Sequence, residues 1–178
     1  KKNKVIVVSS AMSGVTNDLI KKSKQISNNF IDSEYDVLVS SGEQVACSLI
    51  AGRLNHKGFK SRSWLGWQIP IFTNGPYTNS RIQQVNKNKL LRFLKEGGIP
   101  IITGFQGVNM NERVTTIGRG GSDASAIMIA KSFKAQRCII YTDVEGVYTT
   151  DPNKLKKAKK IKVISYEEML EMASLGAK

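Results

Sequence analysis

The chain has 178 residues, 40% of them hydrophobic, and carries 27 Lys and Arg against 14 Asp and Glu, a net charge of +13. That length supports one domain around one sizeable core, and no stretch approaches the roughly 18 consecutive apolar residues a membrane helix needs. Cys47 and Cys138 stand in apolar surroundings without metal-ligand spacing, and the basic start runs straight into "VIVVSS" with no signal-peptide pattern, so the expectation is a reduced, cytoplasmic protein.

In chain order, "KVIVVSSA" (4–11) is a β-branched run ending in small residues, as a buried parallel strand would be. "SGVTNDLIKKSKQI" follows as a turn and a helix, with Val15, Leu19, Ile20 and Ile26 on one side. "DVLVSSGEQVACSLIAGRLNHKG" (36–58) begins with a short apolar run and continues as a helix from about Gly42, stopped by Gly58. "KSRSWLGWQIPIFTN" mixes strand and loop character. "KNKLLRFLKEGG" (87–98) is an amphipathic helix ended by paired glycines, and "IPIITGFQG" (99–107) is an apolar strand entering a glycine-containing turn. "TTIGRGGSDASA" (115–126) leads into an Ala-rich helix, and "RCIIYTDVEGVYTTDP" (137–152) reads as a strand with a hairpin-like excursion. In "SYEEMLEMASLGAK" Ser165 and Glu168 form a capping-box pattern. Strands alternating with helices predict βαβ units and a mostly parallel sheet covered on both faces. Ligands in such sheets bind beyond the carboxyl ends of the strands, where "SSAMSG", "SSGE", "TGFQG", "GRGGSD" and "TDVEG" all collect.

"GRGGSD" concentrates backbone freedom and charge just ahead of a helix. Its N–H groups can face an anion with the help of the helix dipole. Arg119 offers a planar fork for carboxylate or phosphate, and Asp123 either caps the helix or holds a cationic group. An ordinary glycine turn with a plain N-cap fits the same residues. Glu43, placed in the first turn of its helix, is either a ligand or an acid favoured by the dipole. Ser10, Ser13 and Thr16 offer hydroxyls or simple turn chemistry. Thr142, Asp143 and Tyr148 offer groups to a base or ribose, or belong to a β-hairpin turning at Gly146.

Other chemistries fall away. The G-x-x-x-x-G-K-[ST] and H-R-D/D-F-G sets are missing, and His56 is the only histidine, which argues against a triad or a zinc site. No metal-ligating residue stands out. The basic run "KLKKAKKIK" holds no aromatic residue to stack a base, so nucleic acid is a poor fit.

Taken together, "VVSSAMSGVTNDLI", "SSGEQV", "GWQ", "GFQGVN", "TTIGRGGSDASA", "YTDVEGVYTTDP" and "SYEEMLEMASLGAK" resemble the catalytic domain of aspartate kinases, in the amino acid kinase family, over essentially all 178 residues. The resemblance implies a three-layer α/β/α sandwich with a mostly parallel central sheet. It implies transfer of the ATP γ-phosphoryl to the side-chain carboxylate of L-aspartate, with Mg²⁺, the first step toward lysine, threonine and methionine. It places Ser10, Thr16, Glu43, Phe105, Arg119, Gly120 and Ser122 at aspartate, and Gly120, Gly121, Thr142, Asp143, Tyr148 and Lys178 at the nucleotide. Asp123, with Arg119, would organise catalysis. It further implies a homo-oligomer in the intact protein and no membrane partner.

Three departures stand against the pattern. Nothing like the family's K-F-G-G-[ST] strand precedes Lys1, and the C-terminal regulatory domains are absent, so residues 1–178 read as a partial catalytic domain. Asn153 stands where the nucleotide-loop arginine is usual, with Lys154 as a partial substitute. The other readings are a kinase of the same fold for another small acid or a nucleotide, and a non-catalytic aspartate- or nucleotide-binding fragment.

Overall fold

The computed structural model describes residues 3–118, 120–142, 146–150, 155 and 157–174. Arg119, Asp143 and Lys178 lie outside these, as do Asn153 and Lys154. Three strands, β1 (Val7–Ser9), β2 (Ser61–Trp64) and β5 (Ile99–Thr103), form a parallel sheet in the order β1-β5-β2. A second sheet has the order β4-β3-β6-β7, built from β3 (Ile71–Asn74), β4 (Arg81–Val85), β6 (Gln106–Val108) and β7 (Val114–Thr116). In it β3 runs parallel to β6, while the β3/β4 and β6/β7 pairs are antiparallel. The expected parallel sheet is present. The mixed sheet beside it arises because "IPIITGFQG" continues past its turn into β6, which pairs at once with β7.

The helices are α1 (Val15–Ile26), α2 (Asp32–His56), α3 (Asn88–Lys95), α4 (Gly121–Phe133) and α5 (Tyr166–Ser174). Alternation along the strands decides what covers each face of the parallel sheet. Val7, Ile99 and Ile101 pack with Cys47, Ile50, Ala51 and Leu54 of α2. Val8 and Ile102 point the other way, into a core with Leu90 and Phe93 of α3 and Met128, Ile129 and Phe133 of α4. Helix, sheet and helix therefore stack in three layers.

Three expectations need correction. The segment 36–41 is helix, because α2 begins at Asp32 and not near Gly42. Its buried residues Asp36, Val39, Ser40, Glu43, Ala46, Cys47 and Ala51 recur at helical spacing on one face, while Val37 is 40% exposed. Polar residues on the buried side disguise the period. The run "RCIIYT" forms no strand among the described residues. Ile140 packs against Ile117, Ala124 and Ile127, and Ile139 and Tyr141 face outward. Alternation is there, but no ladder partner is; only Tyr148 and Lys160 make an isolated bridge. Ile26 also departs from its expected side, at 76% exposed, since α1 meets α2 through Val15 and Leu19. The capping box at α5 forms as read, with the Glu168 N–H donated to Ser165 Oγ at 3.1 Å and the Ser165 N–H to Glu168 Oε2 at 2.9 Å.

Two glycines mark opposite packing extremes. A Cβ on Gly107 in β6 would lie 2.5 Å from the Ile71 carbonyl oxygen and would also strike the Thr73 methyl. One on Gly52, inside α2, meets nothing within 4 Å. Gly107→Ala should therefore lose about 1–3 kcal/mol through overpacking, whereas Gly52→Ala should gain about 0.5–1 kcal/mol. Thermal unfolding checks both, at about 2–4 °C of Tm per kcal/mol for a chain this long.

Candidate active site at the strand ends

The carboxyl ends of β1 and β5 lie side by side, with Ser9 paired to Thr103 and the Gly104 N–H donated to the Ser9 carbonyl at 3.0 Å. From there the chain turns through Ser10–Gly14 into α1, whose N-cap Gly14 adopts a left-handed φ of 82°. Gly42 of α2 lets this loop come close: a Cβ there would sit 2.9 Å from the Ala11 Cβ. The Ala11 N–H consequently reaches Glu43, donating to Oε1 at 3.1 Å. Ser10 is exposed, and Thr16 is half-buried in the first turn of α1.

Glu43 sits in the middle of α2, not in its first turn as expected, so the helix dipole does not stabilise its charge. Its side chain is 3% exposed, and its Oε2 is buried with no partner among the described residues. Burial pushes its carboxyl above the usual range, and the Ala11 N–H pulls it back only in part. The Cys47 thiol, one turn on, is pushed up to about 12, first by burial and then by the Glu43 charge. It is a packed hydrophobe with no thiolate chemistry.

Across the strand ends stands the glycine bend. A Cβ on Gly104 would meet the Ser122 Oγ at 2.8 Å and its Cα at 2.9 Å, so the β5–β6 turn and the first turn of α4 touch backbone to backbone. Gly121 is equally tight, 2.7 Å from a Phe105 ring carbon. Phe105 holds a left-handed φ of 64°. Its N–H is donated to Ser125 Oγ at 3.1 Å, that hydroxyl is donated to the Gly121 carbonyl at 2.7 Å, and the Phe105 carbonyl accepts from Ile117 N at 3.0 Å. Gly118 and the N-cap Gly120 take left-handed φ values of 80° and 71°. These turns lead the chain into α4, whose first turn lies against Gly104 at the end of β5.

Asp123, in the first turn of α4, is half-buried, and burial raises its pKa. Burial pushes the Cys138 thiol up, the Asp123 charge adds to this, and the 138–142 segment is held at α4 by Ile140, which packs against Ile117, Ala124 and Ile127. Of the expected nucleotide-side groups, Thr142 is exposed and Tyr148 half-buried on that segment and the turn after it. Ser10, Glu43, Phe105, Gly120, Gly121, Ser122 and Asp123 belong to one connected cluster. Thr142 follows Ile140, which packs against Ile117, Ala124 and Ile127, and Tyr148 pairs with Lys160 in an isolated bridge. The described ion pairs, Lys21–Asp18, Lys60–Glu96, Arg113–Glu34 and Lys131–Glu167, lie at the surface and leave Glu43 and Asp123 without a cation among the described residues.

A desolvated carboxylate at the loop after β1 and a helix N-terminus against the end of its neighbour β5 suit a zwitterion beside a polyanion. The whole sequence, residues 1–178, matches the amino acid kinase family. The chain belongs to that family. It is 50% identical over 177 residues to an aspartokinase of Geobacillus stearothermophilus, covering 99% of this chain and 44% of that protein. It therefore spans less than half the length of that curated relative. The crystal structure of E. coli aspartokinase III in complex with aspartate and ADP superposes with a TM-score of 0.78 at 27% identity, over 96% of this chain and 49% of that one. An isopentenyl phosphate kinase at 18% identity and a TM-score of 0.65 shares the amino acid kinase fold. No helix among the described residues is long and apolar enough to cross a membrane.

Reading the sequence missed Asp36, Gly104 and Gln106. Gln106 is 1% exposed and donates Nε2 to the Ser40 carbonyl at 2.9 Å, tying β6 to α2 one turn before Glu43. Both Asp36 and Gln106 are polar residues on buried faces, where the helical or strand period is the available signal.

The Glu43 carboxyl yields a sign. With its folded pKa raised, the protonated form favours folding, and that contribution is lost as pH rises through the folded pKa. Above that pH the charge opposes folding. Glu43→Gln should stabilise the ligand-free protein at pH 8, where it removes the cost of ionising a buried carboxyl, by roughly 1.4 kcal/mol for each pH unit by which the carboxyl is raised, and the gain should vanish near pH 4. Thermal melts at the two pH values read the difference.

Proposed function

We propose that the protein is an aspartate kinase, transferring the γ-phosphoryl of ATP to the side-chain carboxylate of L-aspartate to give 4-phospho-L-aspartate and ADP. The observation that carries this reading is the Glu43 Oε2, buried and unpartnered under the loop that follows β1. A carboxylate held in that state is prepared for a donor the free protein lacks, and the ammonium of an amino acid supplies it. The 50% identity to an aspartokinase and the likeness to aspartokinase III in complex with aspartate and ADP support the same choice.

In this reading Glu43 takes the ammonium and Arg119 the α-carboxylate, with Ser10, Thr16, Phe105 and Ser122 lining the rest of the acceptor. Gly120 and Gly121, at the start of α4, stand at the phosphates, the Gly121 N–H itself being donated to the Gly118 carbonyl at 3.1 Å, and Thr142, Asp143, Tyr148 and Lys178 hold the nucleotide. The acceptor carboxylate oxygen forms a bond to the γ-phosphorus as the bond to the β–γ bridging oxygen breaks, and ADP leaves with that electron pair. Such a transfer needs alignment and charge neutralisation more than covalent chemistry from the protein. Asp123 suits Mg²⁺ as a lone carboxylate, because Mg²⁺ on a nucleotide keeps waters and takes one or two protein carboxylates. Bound there, Mg²⁺ would neutralise phosphate charge.

Residues 1–178 are, on this reading, part of a catalytic domain in a cytoplasmic homo-oligomer serving lysine, threonine and methionine synthesis. In the intact protein, ADP release should depend on L-aspartate and not respond to glutamate or UMP. Glu43→Gln should lower kcat/KM for aspartate at least about 30-fold, the loss of a buried charge pair worth 2–5 kcal/mol. ADP release that ignores aspartate but follows glutamate or UMP would replace the substrate assignment. Binding of aspartate and ATP without turnover would make this a binding module.

A further inference from the structure

Asp36 is a buried charge that the proposed chemistry does not use. It lies near the start of α2, is 0% exposed, and has no cation paired with it among the described residues. Its carboxylate is instead caged by donors. The Thr78 N–H is shared between Oδ1 at 3.1 Å and Oδ2 at 3.0 Å. The Thr116 N–H is donated to Oδ2 at 2.8 Å, and the Thr116 hydroxyl to Oδ1 at 2.7 Å. An ionised carboxylate accepts all of these, whereas an amide or an acid would have to aim a hydrogen at one of them.

The two threonines belong to separate segments. Thr78, at a left-handed φ of 65°, stands in the β3–β4 loop, which closes on itself through Ser80 Oγ donated to the Pro76 carbonyl at 2.7 Å. Thr116 ends β7, and its carbonyl accepts from Ser80 N at 2.9 Å. Two residues further on is Gly118, where a Cβ would lie 2.9 Å from the Asn79 Oδ1 and 3.4 Å from the Thr78 carbonyl. The loop that Asp36 grips is thus the wall against which the glycine bend begins. With Ile117 N bound to the Phe105 carbonyl, little slack remains between clamp and bend.

We propose that Asp36 is a positioning residue: by tying Thr78 to Thr116 it sets where Gly118 starts, and so where Gly120–Ser122 stand against Gly104. Its consequence for substrate rests on the aspartate kinase reading; its mechanical part does not. The carboxylate touches no reactant. It acts through the loop and β7.

The test uses the intact protein with Asp36→Asn, Thr116→Val and Thr116→Ser. In Asp36→Asn and Thr116→Val, amide hydrogen exchange should rise at least tenfold at residues 77–80 and 117–122, with exchange in β1 and β5 unchanged. Thr116→Ser keeps the hydroxyl donor and should behave as the parent. In the kinetic arm, KM for aspartate should rise at least tenfold in the same two variants, with kcat changed less than threefold and Thr116→Ser again normal. Should Asp36→Asn fail to fold, Thr116→Val carries both arms. Exchange that rises throughout the molecule, or nowhere, overturns the proposal, as does a local rise with KM unmoved. A parent protein with no aspartate turnover would instead sink the functional reading, and the exchange pattern would still decide the clamp.

Discussion

The site depends on a steric permission. At Gly104 the end of a central strand meets Ser122 at distances no side chain tolerates, and at Gly42 a helix admits Ala11 just as closely. These contacts let the turn after β5 bond both to the end of β1, through Gly104 N and the Ser9 carbonyl, and to the segment after β7, through Ile117 N and the Phe105 carbonyl. Without them the Ala11 N–H would not reach Glu43, nor would Ser125 stand where it bonds both Phe105 N and the Gly121 carbonyl. The glycines of the bend supply left-handed turns, but the glycines opposite them supply the room, and the second role fixes the distance across the crevice.

Two buried carboxylates on one helix then divide the work by how many donors each receives. Asp36 is saturated by two amides and a hydroxyl, and such a carboxylate is structural: its charge is spent inside the protein. Glu43, about two turns further along the same face, receives one amide and keeps an oxygen unsatisfied. Burial raises the pKa of both, and both lie on one side of α2. The local donor count, not the residue type or the depth, distinguishes the scaffold from the group that waits for a ligand. That difference also explains why the ligand-free site should be unstable relative to its neutral variant.

Much of this was legible in the sequence, and the failures share a cause. The β-branched runs of β1 and β5, the amphipathic α3, the capping box of α5 and the glycine bend before α4 all carry a local signal, and each was read. The first turns of α2 were not, because Asp36, Ser40 and Glu43 occupy positions where apolar residues normally report the period. Placing Glu43 at a helix start followed from that error. The reverse error occurred at "RCIIYT", where an apolar alternation promised a strand and no partner strand lies alongside it among the described residues. A local pattern reports the half of an element that faces the core; a ladder is a relation between two segments.

Polarity on the buried face of α2 ties these points together. A helix chosen only for packing would carry leucine or isoleucine at 36, 40 and 43, and would read plainly as a helix. It would also leave the Thr78 and Thr116 donors unpaired and give the crevice no anion. The same substitution of polar for apolar that hides α2 from a periodicity argument is what joins the β3–β4 loop, β7 and the β1–α1 loop to one rigid element. Where a long run of otherwise helix-forming sequence loses its apolar stripe, the missing stripe is itself informative: acids at the stripe's own spacing mark a buried face that has been given over to holding other segments in place.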